Sequence, residues 1–292
     1  MSESIIHGVI TAMVTPFDER GDVDHDATRK VARHLVDHGS HGVVVAGTTG
    51  ENPTLTDDEQ VELLRVVVDE IGGEATVIAG TGTNDTRHSV HLTEASSEAG
   101  ADGCLVVTPY YNKPNPAGLR AHFAAVADAT GLPIVLYNIP SRCVINMPPE
   151  LMSEIAAENE NVVAVKQANN DELGPVDGLD ILAGNDEIFL RTLEIGGTGG
   201  ILVSSHVVGD EMRAVYEAHR AGEPERAREI QNRLAPVYEA MTVTSNPTPV
   251  KTALELMGVV SARVRLPMVE ADDEQRAAVR AALEAHGTLA AA

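Results

Sequence analysis

The stretch IVLYNIPSRCVINMPPELMSEIAAENENVVAVK, residues 134–166, decides how the chain folds. It opens on a short β-branched run at 134–137, takes helical period over 148–157, and returns to a second apolar run at 162–165. Apolar runs without a polar face suit strands buried on both sides, as in a parallel sheet. Two parallel strands need a crossover between them, and a helix usually supplies it. The stretch therefore reads as one strand–helix–strand unit, with Tyr137 and Lys166 at the C-terminal ends of neighbouring strands.

The same plan recurs in both directions. Strand-like runs lie at 9–14, 42–46, 76–80, 104–108, 134–137, 162–165, 180–183 and 200–203, each bounded by Gly, Pro, Asn or Asp. Amphipathic segments fall between them. One carries Ala27, Val31, Leu35 and Val36 on a stripe, and one at 61–68 is opened by Thr56-Asp-Asp-Glu59, which reads as a capping box. Others cover 84–99, 116–129 and 148–157. Eightfold alternation predicts an α/β fold, a (β/α)8 TIM barrel, with a doubly wound open sheet as the alternative. After Val207 the strand pattern stops, and segments near 209–221, 223–243, 248–258 and 272–286 look helical. These predict the last barrel helix followed by a C-terminal helical extension, dividing the chain into a catalytic barrel at 1–222 and a helical domain at 223–292.

Composition narrows the function. The 292 residues hold 44 acidic against 21 basic side chains, a net charge of −23. Such acidity repels nucleic acid and anionic membranes, so neither is expected as a partner. Cys104 and Cys143 are the only cysteines and form no disulfide framework, while Met1-Ser-Glu-Ser lacks the basic start of a leader. With no apolar run of membrane-spanning length, a soluble cytoplasmic protein is expected. No cofactor or metal is demanded. The pairs His34/His38 and His88/His91 read as solvated helix faces, and the glycine run at 196–200 precedes a strand, which favours turn and packing roles over phosphate binding.

In such a barrel, sites form where strands end. Four of the 21 basic residues are lysines (Lys30, Lys113, Lys166, Lys251), and only Lys166 ends a buried apolar strand. An isolated buried ammonium either finds an anion or loses its proton. The first outcome is a structural lysine; the second is a nucleophile for carbonyl carbon, which is Schiff-base chemistry. Lys30 reads as solvated, Lys113 as a loop residue, and Lys251 as lying off the barrel mouth. Tyr137 serves either as acid or base in the same mouth or as a core residue. Arg142 either forks a carboxylate or is a surface arginine. The run Gly47-Thr-Thr-Gly50 either presents N–H groups and hydroxyls to a carboxylate or is a tight turn. Tyr110-Tyr111 suggests packing or an interface.

These residues resemble the dihydrodipicolinate synthase / N-acetylneuraminate lyase family of pyruvate-dependent class I aldolases. The resemblance spans the chain through Thr11-Ala-Met-Val-Thr-Pro-Phe17, Gly47-Thr-Thr-Gly-Glu51, Val77-Ile-Ala-Gly-Thr-Gly82, Val107-Thr-Pro-Tyr-Tyr-Asn-Lys-Pro114, Tyr137-Asn-Ile-Pro-Ser-Arg142, Val165-Lys166 and Asn246-Pro-Thr-Pro-Val-Lys251. It implies a barrel with a C-terminal helical domain, a homotetramer of tight dimers, and no cofactor beyond substrate pyruvate bound as a Schiff base on Lys166. It further implies that Tyr137 relays protons with Thr48 and with Tyr111 of a neighbouring subunit. Thr49 would hold the pyruvate carboxylate beside Thr48, and the backbone of Gly184 and Ile201 would line the pocket. Arg142 would bind the carboxylate of L-aspartate-4-semialdehyde, as in the synthase subgroup. The alternatives are an aldolase acting on a 2-keto-3-deoxy sugar acid or other hydroxy-oxo acid, and a non-catalytic barrel that binds an oxo acid.

The chain departs from the family pattern at two places. Arg142 is followed by Cys143-Val144 instead of Thr-Gly, and Lys166 by Gln167 instead of an acid, which removes a charge beside the Schiff base. The lysine-feedback pocket of some members is matched at Asn84 and Tyr110 but not at Asp57, Gln60 and His88, so weak or no inhibition by lysine is expected. An anion entering so acidic a protein also predicts a locally positive mouth, with Arg142 and backbone N–H groups supplying the attraction.

Overall fold

The computed structural model describes residues 6–290; residues 1–4, read above for a leader, lie outside them. Among the described residues, eight strands close into one parallel barrel in chain order: β1 Gly8–Ala12, β2 Gly42–Val45, β3 Thr76–Gly80, β4 Gly103–Val107, β5 Ile134–Asn138, β6 Val162–Gln167, β7 Asp180–Ala183 and β8 Gly199–Leu202. Every expected run is present, shifted by at most two residues at either end. Helices α1 His25–Asp37, α2 Asp57–Ile71, α3 Thr86–Glu98, α4 Pro116–Asp128, α5 Pro140–Cys143, α6 Pro149–Glu158, α7 Phe189–Glu194 and α8 Ser205–Arg220 accompany the barrel, and α9 Pro224–Ala240, α10 Thr248–Leu256 and α11 Asp273–His286 follow it.

The alternation fails once. Between β6 and β7 the chain makes only a 3-10 turn, Asn170–Glu172, because Gly174-Pro175 breaks a connection already short for a helix. The helices α5 and α7 have four and six residues, too few to show a period in the sequence. Elsewhere the local signals act as read. The side chain of Thr56 accepts from Glu59 N and the Glu59 carboxylate accepts from Thr56 N, completing the capping box of α2. Gly199 in the glycine run packs against β1, where a Cβ would fall 2.2 Å from Gly8 O.

The barrel interior is filled by alternate residues, among them Ile10, Val44, Ile78, Leu105, Val135, Ala164, Leu182 and Ile201. Val162 and Val165 face the other way, into the apolar layer beneath α4 and α6. This placement needs a register shift. Ile134 pairs with Val162 but Val135 pairs with Ala164, so Val163 is an extra residue bulged out of β6. Beyond the bulge Tyr137 pairs with Lys166. Both therefore point inward. Without it Lys166 would share the outward face of Val162.

One apolar cluster joins barrel helices to the C-terminal ones, with Val215 and Met212 of α8 packed with Leu234 and Val237 of α9, Leu254 of α10 and Leu283 of α11. The last three helices are thus anchored to the barrel by their own apolar faces. Their connections reach its C-terminal end.

Candidate active site

At that end the loops enclose two adjoining lobes of about 190 and 150 Å³, both walled by Thr48, Tyr137, Ile139 and Arg142. The larger is mainly apolar, with Leu105, Val107, Tyr110 and Cys143. The smaller contains Lys166, Thr49, Gly184, Asp186, Asn185 and Asn246. Lys166 is only 4% exposed, and its Nζ sits 4.2 Å from the centroid of the Tyr137 ring. Among the described residues no salt bridge reaches it, which removes the reading of a lysine neutralised by a carboxylate.

Tyr137 is held by its backbone, whose carbonyl accepts from Thr108 Oγ1 at 2.9 Å and from Thr108 N at 3.0 Å. Across the cavity the loop after β2 is gripped on several sides. Asn246 Nδ2 donates to Thr49 Oγ1 at 2.9 Å, and Thr15 Oγ1 donates to Gly50 O at 2.6 Å. Glu51 accepts from Lys251 Nζ at 2.5 Å and from Arg265 N at 2.9 Å. Gly184 completes the wall, donating its N–H to Gln167 O at 2.8 Å. A Cβ there would lie 2.6 Å from that oxygen, so glycine alone fits.

Arg142, on α5, is exposed and lines both lobes, with no ion pair among the described residues. Its loop is tied down by buried amides. Asn138 Nδ2 donates to Gln167 Oε1 at 3.0 Å and to Asn146 Oδ1 at 2.8 Å, while Asn138 Oδ1 accepts from Met147 N at 3.1 Å. Gln167 therefore faces away from Lys166, and the missing acid at 167 takes no charge from the side of the strand that Lys166 occupies. Val144 stands where the family has glycine and keeps the conformation of one, at φ +71°. Ala46, Glu51, Tyr111 and Lys113 also have positive φ. All five belong to the segments leaving β2, β4 and β5, and such strain collects around functional sites.

Some expected residues are not brought together. Tyr111 is 88% exposed and lines neither lobe. The side chain of Ile201, whose expected part was its backbone, is buried in the barrel interior, and Val203 lines the smaller lobe. Lys251 lies outside the cavity as expected, but it is fully buried beside Glu51. Burial pushes its ammonium down to about 8, with Glu51 pulling the other way. Among the histidines, His38 and His91 are exposed, whereas His34 is half-buried and bonds His206 O at 2.9 Å.

The mouth is also less positive than expected, because Asp186 and Glu187 stand in the wall with Lys166 and Arg142. Burial pushes the Asp186 carboxyl up, opposed by the hydroxyl of Ser204 and the N–H groups of Val203 and Ser204. Tyr238, Met241, Thr242 and Asn246 were not identified from sequence as wall residues, whereas Asp186 follows the end of β7, where sites are expected. The signal nearest to them was Asn246-Pro-Thr-Pro-Val-Lys251, a motif with no role attached.

Comparison with known proteins agrees with this geometry. The model of the dihydrodipicolinate synthetase family matches residues 5–286. The chain is 45% identical over 289 residues to the 4-hydroxy-tetrahydrodipicolinate synthase of Moorella thermoacetica, covering 96% of this chain and 98% of that protein. It is 46% identical over 286 residues to the synthase of the same name from Heliobacterium modesticaldum, covering 96% and 95%. The crystal structure of dihydrodipicolinate synthase from Aquifex aeolicus superposes with a TM-score of 0.93 at 38% identity, covering 97% of this chain and 99% of that one.

Proposed function

The chain belongs to the dihydrodipicolinate synthetase family, and from that premise we propose that it condenses pyruvate with L-aspartate-4-semialdehyde, as a 4-hydroxy-tetrahydrodipicolinate synthase does in lysine and diaminopimelate synthesis. The observation that carries this reading is Lys166, buried in the cavity wall over the Tyr137 ring with no salt bridge among the described residues. A lysine so placed attacks the C2 carbonyl of pyruvate through Nζ and expels the oxygen as water, leaving a Schiff base. Loss of a proton from C3 gives an enamine, whose carbon attacks the aldehyde. Tyr137 moves the protons, with Thr48 beside it and Tyr111 supplied by a second subunit of a homotetramer; the exposure of Tyr111 in a single chain suits that source.

The Thr48–Thr49 loop receives the pyruvate carboxylate, with Gly184 and Ile201 contributing backbone to the pocket. Arg142 stands at the junction of the lobes, where its guanidinium selects an aldehyde bearing a carboxylate over a neutral sugar aldehyde. Residues 1–222 serve as the catalytic barrel and 223–292 as the helical domain that closes it. The chemistry needs no metal and no separate cofactor, and the enzyme works in the cytoplasm. Among the described residues no helix is long and apolar enough to cross a membrane.

The test is chemical. Treatment with pyruvate and borohydride, followed by mass spectrometry, is expected to place a reduced pyruvyl adduct on Lys166; its absence overturns the proposal. Turnover with aspartate semialdehyde is expected to exceed that with sugar aldehydes. Arg142→Ala is expected to impair use of the semialdehyde while leaving pyruvate trapping intact, and equal loss of both would make Arg142 a structural residue.

A further inference from the structure

Two motifs met in the sequence have no task in the reaction, yet they meet in space. The glutamate that closes Gly47-Thr-Thr-Gly-Glu51 and the lysine that closes Asn246-Pro-Thr-Pro-Val-Lys251 form a buried ion pair, with side chains 2% and 0% exposed. Lys251 Nζ also donates to Arg263 O at 2.6 Å, and the second oxygen of Glu51 takes Arg265 N. At the other end of the same segment Asn246 Nδ2 donates to Thr49 Oγ1, while the buried Asn246 Oδ1 has no hydrogen-bond partner. The bond to Thr49 is thus the one side-chain hydrogen bond of Asn246 among the described residues.

That bond has a direction. A hydroxyl that accepts from an amide N–H keeps its own proton free to donate elsewhere, and Thr49 stands in the lobe that holds Lys166. We propose that residues 246–251 form a positioning arm, in which Asn246 turns the Thr49 hydroxyl proton toward the pyruvate carboxylate and Lys251 anchors the loop that carries it. The inference rests on the functional reading above, in which Thr49 meets that carboxylate. It assigns the C-terminal segment a part in recognising the first substrate, acting through the barrel residues that touch it.

The experiment separates direction from bulk. In Asn246→Asp the side chain keeps its shape but only accepts, so it draws the Thr49 proton back. The KM for pyruvate is expected to rise about 10-fold or more, with kcat at saturating pyruvate little changed. Asn246→Ala, a larger change in shape, is expected to raise KM less, because it leaves the hydroxyl free to turn. In a Thr49→Val background Asn246→Asp is expected to add nothing. A larger effect of Ala than Asp, an unchanged KM in Asp, or additivity with Thr49→Val overturns the role of Asn246. The double variant Glu51→Gln/Lys251→Met strands no buried charge and is expected to raise the same KM at near-normal thermal stability; an unchanged KM in the folded variant overturns the role of Lys251. Failure of the unsubstituted protein to trap pyruvate on Lys166 sinks the functional reading and this inference together, whereas trapping with an additive cycle sinks this inference alone.

Discussion

Lys166 and Lys251 are both almost excluded from solvent, at 4% and 0% exposure, and their surroundings make them opposites. Lys251 is held by the Glu51 carboxylate, by a backbone carbonyl and over the face of Phe17 at 4.3 Å. Lys166 has the face of Tyr137 and, among the described residues, no anion. Burial alone therefore does not mark a reactive amine. The partner makes the difference: Lys251 Nζ is engaged by Glu51 and by Arg263 O, whereas no salt bridge among the described residues engages Lys166 Nζ, which faces the cavity.

The contrast is easiest to break by removing each amine in turn. Lys166→Met is expected to abolish pyruvate trapping and to cut turnover by at least ~1000-fold, while thermal unfolding shifts little because no partner is left stranded. A marked loss of stability would make Lys166 a structural residue after all. Lys251→Met is expected to do the reverse, costing about 3–5 kcal/mol by leaving Glu51 buried without its cation. Denaturant unfolding measures this, and recovery of most of the loss in Glu51→Gln/Lys251→Met would show that the stranded charge was the cause.

Buried bases elsewhere extend the comparison to acid. His206 Nε2 accepts from Val14 N and His41 Nδ1 accepts from Val9 N, so neutral rings pin both ends of β1. Burial lowers each to about 4 from the model-peptide 6.5. The folded state then binds fewer protons than the unfolded chain between those values. The stability is present above pH 6.5 and is lost as pH falls toward 4, by about 2 kcal/mol at pH 5 from His206 alone. Melting curves between pH 7 and pH 4.5 check the sign, and a flat midpoint would contradict it. At the strained loop, Val144→Gly is expected to stabilise by ~1 kcal/mol, since glycine holds φ +71° without cost from a branched side chain. The smallest effect expected is that of free lysine. Asp57 is already engaged by His88 at 2.8 Å, and inhibition of turnover at micromolar lysine would refute the mismatch read in that pocket.

Legibility followed distance along the chain. Strand position alone singled out Lys166 and Tyr137, because the buried apolar runs before them are local and continuous. Capping at Thr56 and Glu59 was equally local. The helix missing between β6 and β7 was not foreseen, because a run of eight repeats outweighed the Gly174-Pro175 break. Asn246 and Tyr238 reach the cavity through tertiary packing that no periodicity records, whereas Asp186 follows the end of β7, where strand position already points to a site. The bulge at Val163 was invisible as well, since Val162-Val-Ala-Val165 reads as a straight strand.

That bulge makes the reactivity of the barrel a matter of parity. With Val163 bulged out Lys166 looks inward; were the same residues paired without a bulge it would look outward, and Val165 would take its place in the cavity. A one-residue slip in the pairing of β6, with composition, charge and helix content unchanged, thus decides whether the lysine faces the cavity. Deleting Val163 takes out the bulge and its extra residue together and is expected to keep the borohydride adduct on the lysine; loss of the adduct in a folded variant would contradict this parity. The chemistry proposed for the cavity therefore hangs on how the residues of β6 are counted against those of β5.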